Sequence, residues 1–119
     1  MYVARIVYPS SDSGRFDLDH YRTVHGPLGL RLLRKHVQVE PQRWDLDTNA
    51  RSPFPDAPPA YQCASSLYFR TEQEAARFMA LFGIAEAAEE LMADIPKFTD
   101  VQPQITVCAV EEIDPATIS

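Results

Sequence analysis

Strand-like and helix-like runs follow one another along this chain in the order β-α-β-β-α-β, and few folds accept that order. Residues 2–8 are rich in Val, Ile and Tyr and stop at Pro9, as a strand does. Residues 16–25 read as a helix. Asp17 is its N-cap, because a carboxylate there can accept the unpaired amide protons of the first turn. Leu18, Tyr21 and His25 are spaced i, i+3, i+7 and share one face. Gly26-Pro27 is expected to interrupt this helix, since Pro27 lacks an amide proton and disfavours helical geometry at residue 26. A second helical piece covers 28–36. Val37-Gln38-Val39-Glu40 alternates apolar and polar and predicts the second strand, and Pro41 suits an edge position. Residues 45–59, with prolines at 53, 55, 58 and 59, predict a long irregular loop.

The second half repeats the pattern. Residues 61–69 predict the third strand, with Tyr61, Cys63, Ser65, Leu67 and Phe69 facing one way. Thr71-Glu72-Gln73-Glu74 is a capping box. The helix it opens carries Ala75, Phe78, Met79 and Phe82 as its apolar stripe, breaks at Gly83 and resumes with Ile84, Ala87, Ala88 and Leu91. Residues 94–100 are a loop, 105–110 the last strand, and the tail from Asp114 is expected to fray. The fold class is therefore α+β, a ferredoxin-like βαββαβ unit with one antiparallel sheet and helices on one face. At 119 residues the chain makes a single domain, 1–119, on the usual prior of roughly 100–200 residues. Both faces of the strands carry apolar residues: Tyr2, Ile6 and Tyr8 oppose Val3 and Val7, and Leu67 and Phe69 oppose Tyr68. The uncovered face is thus expected to be apolar and to pack against a second copy in a homodimer.

Composition narrows the function classes. Asp and Glu outnumber Lys and Arg 17 to 11, a net charge of -6, which argues against a nucleic-acid partner. No run approaches the ~18 apolar residues of a membrane span. The first nine residues lack the long apolar core of an export signal. Cys63 and Cys108 share no CxxC spacing and lie in strand-like runs, which suits buried thiols in a reduced, cytoplasmic protein. His20, His25 and His36 match no metal-ligand spacing, and no glycine-rich phosphate loop is present, so neither metal nor cofactor is expected.

The run Phe16-Asp17, Tyr21 and His25-Gly26-Pro27-Leu28 resembles the signature of the EthD family, named after ethyl tert-butyl ether degradation. Pro59, Tyr61, Leu67-Tyr68-Phe69, Glu74-Ala75 and Phe78 are similar to its third strand and second helix. Asp94-Ile95-Pro96-Lys97-Phe98-Thr99-Asp100 is similar to its Asp to Phe-Thr-Asp loop. The likeness runs from about Val3 to about Glu112. It implies a dimeric α+β barrel, in which two ferredoxin-like subunits pack their open sheet faces together and leave a cavity in each. Related proteins on that scaffold include cofactor-free monooxygenases, polyketide cyclases and a muconolactone isomerase. EthD proteins themselves occur beside catabolic oxidoreductases. Fold does not fix function among them. The proline-rich loop of residues 45–59 matches no motif of the family.

His25 is the leading candidate catalytic residue. An imidazole at a helix break can titrate near neutrality and shuttle protons, or it can instead satisfy carbonyls that Pro27 leaves unpaired. Tyr21, Tyr61, Cys63 and Ser65 are the candidate substrate-binding residues. A reactive Cys63 would need a thiol lowered by nearby positive charge. Arg5 and Arg22 either anchor an anionic ligand or lie solvated at the surface. Phe98 is expected to be buried, Asp94 and Asp100 to cap backbone, and His20 and His36 to be exposed. The function expected is binding of a small, largely apolar organic molecule of a catabolic pathway. Cofactor-free isomerisation or cyclisation through His25, or cofactor-free oxygenation, would be its chemistry. A non-catalytic accessory to a partner oxidoreductase is the competing reading.

Overall fold

The computed structural model describes residues 1–118. Four strands, β1 (Tyr2–Pro9), β2 (Arg43–Asp47), β3 (Tyr61–Phe69) and β4 (Gln104–Ala109), form one sheet in the order β2-β3-β1-β4. All three pairings are antiparallel. This is the expected ferredoxin-like topology, with the helices packed on one face. Cross-strand partners share a face of a sheet. The register therefore puts Tyr2, Ala4, Ile6 and Tyr8 on one side with Phe69, Leu67, Ser65 and Cys63. β2 adds Trp44 and Leu46 to that side, and β4 adds Ile105 and Val107.

The opposite face is more polar than the alternation of residues predicts. Val3, Val7 and Tyr68 lie there, but so do Arg5, Ser66, Thr106, Arg43 and Asp45. Arg5 donates to Ser66 Oγ at 3.3 Å. Arg43 pairs with Asp45 and lies 4.5 Å above the Tyr68 ring.

The second strand is not where the valines suggest. Val37 ends a helical segment, and Gln38 closes it in the left-handed conformation at φ 51°. Leu33 and Val37 are four apart and both buried, so helical spacing outweighs the short alternation of Val37 and Val39. The strand comes at Arg43–Asp47, inside the stretch expected to be irregular. The rest of that loop, residues 48–60, is irregular and largely exposed.

The first helical region does not break at Gly26-Pro27. α1 (Leu18–His20), capped by the Asp17 carboxylate on the His20 amide, runs into a π-helical segment (Tyr21–His25) and on into α2 (Gly26–Leu32). A second π-helical segment (Leu33–Val37) ends it. The widened turn accommodates a proline ring that would clash with the carbonyl four residues back in a regular helix. Gly26 keeps helical angles, φ -58° and ψ -52°, because it has no Cβ to meet Pro27.

α3 (Glu72–Leu81) opens on Thr71, whose hydroxyl accepts from the Glu74 amide at 3.1 Å, and α4 (Ala85–Asp94) follows the break at Gly83. The buried stripe of α3 is Ala75, Phe78 and Leu81; Met79 and Phe82, expected inside, are exposed. Asp94 is the last residue of α4 and not part of a loop. The tail carries a short 3-10 turn (Pro115–Thr117) capped by Asp114, where fraying was expected.

Two apolar clusters form on the helix face. One gathers Leu33, Leu67, Phe69, Phe78 and Leu81; the other gathers Tyr8, Tyr21, Ile95 and Phe98. Ile6 and Trp44 pack against both. A Cβ on Gly26 would fall inside the Trp44 indole. Gly26→Ala should therefore cost about 1–3 kcal/mol through overpacking, more than alanine's helix propensity returns. Urea unfolding of the two proteins checks this, and a stabilised variant would show that Trp44 yields freely.

Candidate functional site

A cavity of about 360 Å³ lies between the two clusters, under the helices and over the sheet. Its walls are mostly apolar, and among the described residues none that lines it is Lys or Arg. Its polar groups come from Tyr8, Tyr21, His25, Trp44 and Ser65, with Gln102 on another wall. β1 supplies Tyr8, β2 Trp44 and β3 Ser65. The π-helical segment supplies Tyr21 and His25.

His25 is buried and hydrogen-bonded. Its Nδ1 lies 2.8 Å from Asp94 Oδ2. A carboxylate accepts, so Nδ1 carries the proton and Nε2 is the ring atom left with a free lone pair. Asp94 has a second imidazole: His20 Nε2 lies 3.1 Å from both of its oxygens. Burial alone would raise the Asp94 carboxyl, but hydrogen bonds from His25 and His20 outweigh it and hold Asp94 below the usual range. Burial lowers His25 more than Asp94 raises it, so the imidazole is neutral at pH 7.

The hydroxyls behave differently. Burial pushes Tyr8 far above the usual tyrosine range and Tyr21 up to about 12. Both stay protonated and remain donors. Ser65 Oγ accepts from Trp44 Nε1 at 2.7 Å, which leaves its own hydrogen to donate.

A loop holds Asp94 against His25. Phe98, fully buried as expected, follows the 3-10 turn (Ile95–Lys97) after α4 and lies 4.7 Å from the His25 ring centroid. Its carbonyl accepts from the Asp17 amide at 2.8 Å, and Thr99 Oγ1 donates to the Arg15 carbonyl at 2.9 Å. Asp100 accepts from the Ser11 and Ser13 side chains.

Of the residues expected at the site, the structure brings together His25, Tyr21 and Ser65. Cys63 shares their side of the sheet but is fully enclosed and does not line the cavity. Burial first, then the nearby Asp47 charge, raises its thiol to about 11, the opposite of activation. Tyr61 lies elsewhere. The register shifts at Pro9, so Gln62 is left over and Tyr61 turns into a separate shallow depression with Ser10 and Pro59. Arg5 sits on the opposite sheet face and Arg22 is exposed beside Asp19. His20, expected at the surface, is turned inward to Asp94, and His36 is half-buried. Cys108, expected inside, is exposed. Asp94, Trp44 and Tyr8 were not among the candidates. Tyr8 was legible as the next residue after Ile6 on its strand face, and Trp44 by the alternation of Arg43-Trp44-Asp45-Leu46-Asp47.

Among the described residues no group of three or more His, Cys, Asp or Glu side chains is placed to hold a metal ion, and no helix is long and apolar enough to cross a membrane.

The family model described as the EthD domain matches residues 14–102. The chain belongs to the EthD family. That stretch contains both His25 and Asp94. The fold is shared with an EthD-like protein from Ralstonia eutropha JMP134, at a TM-score of 0.74 and 19% identity, covering 97% of this chain and 96% of that one. It is shared also with an ethyl tert-butyl ether degradation family protein from Bacillus halodurans C-125, at a TM-score of 0.58 and 12% identity, covering 93% and 99%. No curated protein matches the chain.

The shifted groups give a signed pH dependence. A group whose folded value is lowered contributes stability that is present above its unfolded value and lost as pH falls. For His25 that loss begins near its ordinary 6.5, and for Asp94 near 3.8. Wild type should lose thermal stability from about pH 6.5 downward. His25→Gln should flatten the limb that begins near pH 6.5. Melting curves across pH check this, and a variant with an unchanged upper limb would contradict it.

Proposed function

We propose that this EthD-family protein binds a small, largely apolar, uncharged organic molecule and moves a proton on it without a cofactor, with His25 as the base. The observation that carries the reading is the 2.8 Å contact of His25 Nδ1 with Asp94 in the wall of an apolar cavity. Asp94 fixes the tautomer and orients the ring, so the Nε2 lone pair is the acceptor. Taking a proton from an acidic C–H of the ligand makes an imidazolium beside a carboxylate, where it is stabilised.

The electron pair left on the ligand moves to an oxygen. Tyr8, Tyr21 and Ser65 are the donors available to it. His25 then returns the proton to a different atom. If only a double bond has moved, the product is an isomer; if the ligand carbon has attacked within the molecule, it is a ring. Each step conserves atoms and electrons. The apolar walls keep water from intercepting the intermediate. An anionic ligand is disfavoured, because Asp94 is a buried negative charge nearby and, among the described residues, no lining cation offsets it.

A thermal-shift screen of phenols, quinones, lactones and short ethers tests binding. A ligand at about 100 times its Kd stabilises the native state by about 2.7 kcal/mol. Neutral binders should raise the melting point of wild type, carboxylates of the same size should not, and His25→Ala should abolish turnover of any compound the purified protein converts. Turnover that survives His25→Ala would end the catalytic reading. Binding with no turnover would favour the accessory role beside an oxidoreductase.

The homodimer belongs to this proposal too. Val7 and Tyr68, half-buried on the sheet face away from the helices, are the residues a second copy would cover. Sedimentation velocity should give twice 13.4 kDa, and a single monomeric species would remove the dimer.

A further inference from the structure

Asp94 carries one negative charge and faces two imidazoles. The π-helical turn makes this possible. Residues five apart on a regular α-helix point about 140° away from each other. The i to i+5 bonding of the π segment widens the turn and brings them closer to one face, and it begins at the residue after His20 and ends at His25. Both rings therefore reach the same carboxylate, at 2.8 Å for His25 and 3.1 Å for His20. Both also pack on Phe98, at 4.7 and 5.9 Å between centroids.

We propose that His20 is a positioning residue for His25: through the carboxylate they share it sets how readily His25 takes a proton, and it is the side of the cluster that meets solvent. The proposal rests on the proton-transfer reading of His25.

The groups around His25 support this division. Its side chain is 9% exposed, and that of His20 is 22%. Tyr21 stacks on His25 from the same helical segment, and Tyr8 stands across from β1; both hydroxyls are neutral at pH 7. Lys97 reaches toward Asp94 Oδ1 at 3.9 Å from the 3-10 turn but is exposed and screened. Among the described residues Asp94 is thus the buried charge that favours a proton on His25, and His20 is its close competitor. Two imidazolium rings on one carboxylate repel each other, so the two protonations oppose one another. The neighbouring His20 charge also acts to lower His25. A charged His20 on the shared carboxylate makes His25 take a ligand proton less readily.

The test needs no ligand. Ring-nitrogen NMR signals of the histidines are followed from about pH 5 to 9 in wild type, His20→Gln and Asp94→Asn, with His25→Gln for assignment. Glutamine keeps a donor toward Asp94 and removes the charge. The expected result is that His20→Gln raises the His25 midpoint by roughly half a unit or more, while Asp94→Asn lowers it. In wild type the two rings should titrate in coupled steps. A His25 midpoint that is unchanged or lowered in His20→Gln overturns the proposal. Should that variant not fold, the wild-type curves decide: independent single-site titrations overturn it. The two readings fail separately. Coupled titration without any turnover would retire the proton-transfer role and leave the coupling standing. Turnover that depends on His25, with superimposable His25 curves in wild type and His20→Gln, would do the reverse.

Discussion

Phe98 sits where five rings converge: Tyr8, Phe16, His20, Tyr21 and His25 lie 4.7–5.9 Å from its centroid. Its carbonyl is tied to the Asp17 amide, and Thr99 bridges to Phe16. These contacts hold the segment after α4 against the start of α1. Only because they do is Asp94 within reach of His25, 69 residues earlier. A carboxylate buried without a partner would cost several kcal/mol. The apolar packing thus comes first in the causal order, and the polar pair depends on it. The ring surface that stabilises the fold is also what screens the pair from water and lowers the imidazole.

Gly26 and Pro27 act on the same place from the other side. A proline inside a helix asks for a disturbance, and the disturbance found is a wider turn, not an end. Tyr21 and His25 both belong to that turn and both face the cavity. Gly26 lets the Trp44 indole lie against the helix, where it closes the cavity wall and donates to Ser65. A two-residue motif therefore places three of the site's side chains.

The elements were most legible where one pattern dominated. Residues 61–69 form β3 end to end, because an alternating strand bounded by prolines and an arginine turn has no competing period. Val37-Gln38-Val39-Glu40 had two readings, and the helical one won because Leu33 and Val37 share a buried face. β2 was hidden by its charged residues, which an edge strand tolerates on its outer face. Tyr21, His25 and Ser65 were legible at the site because helix and strand periods fix which way they point. Tyr61 failed at the one register shift in its pairing. Asp94 was visible as part of a loop motif, but nothing local says that the loop folds back onto a helix 69 residues earlier. His20 was misplaced because α-helical spacing was applied to a π turn.

The cavity is kept open by small residues where large ones would be expected. Gly26 and Gly29 line it from the helix and Ser65 from the sheet, while Leu67 and Phe69 fill the same strand face further on. A Cβ on Gly29 would meet nothing within 4 Å, so no close contact requires glycine there. Glycine inside a helix costs about 0.5–1 kcal/mol relative to alanine. A gap in a close-packed interior forfeits dispersion contacts on all its walls. Gly29 thus weakens its helix and leaves a void at once, with no turn or close approach to explain it. The void adjoins the buried His25–Asp94 pair and the hydroxyls that remain donors. That coincidence of a stability cost with a polarised end fits the proposed binding role better than a packing defect does.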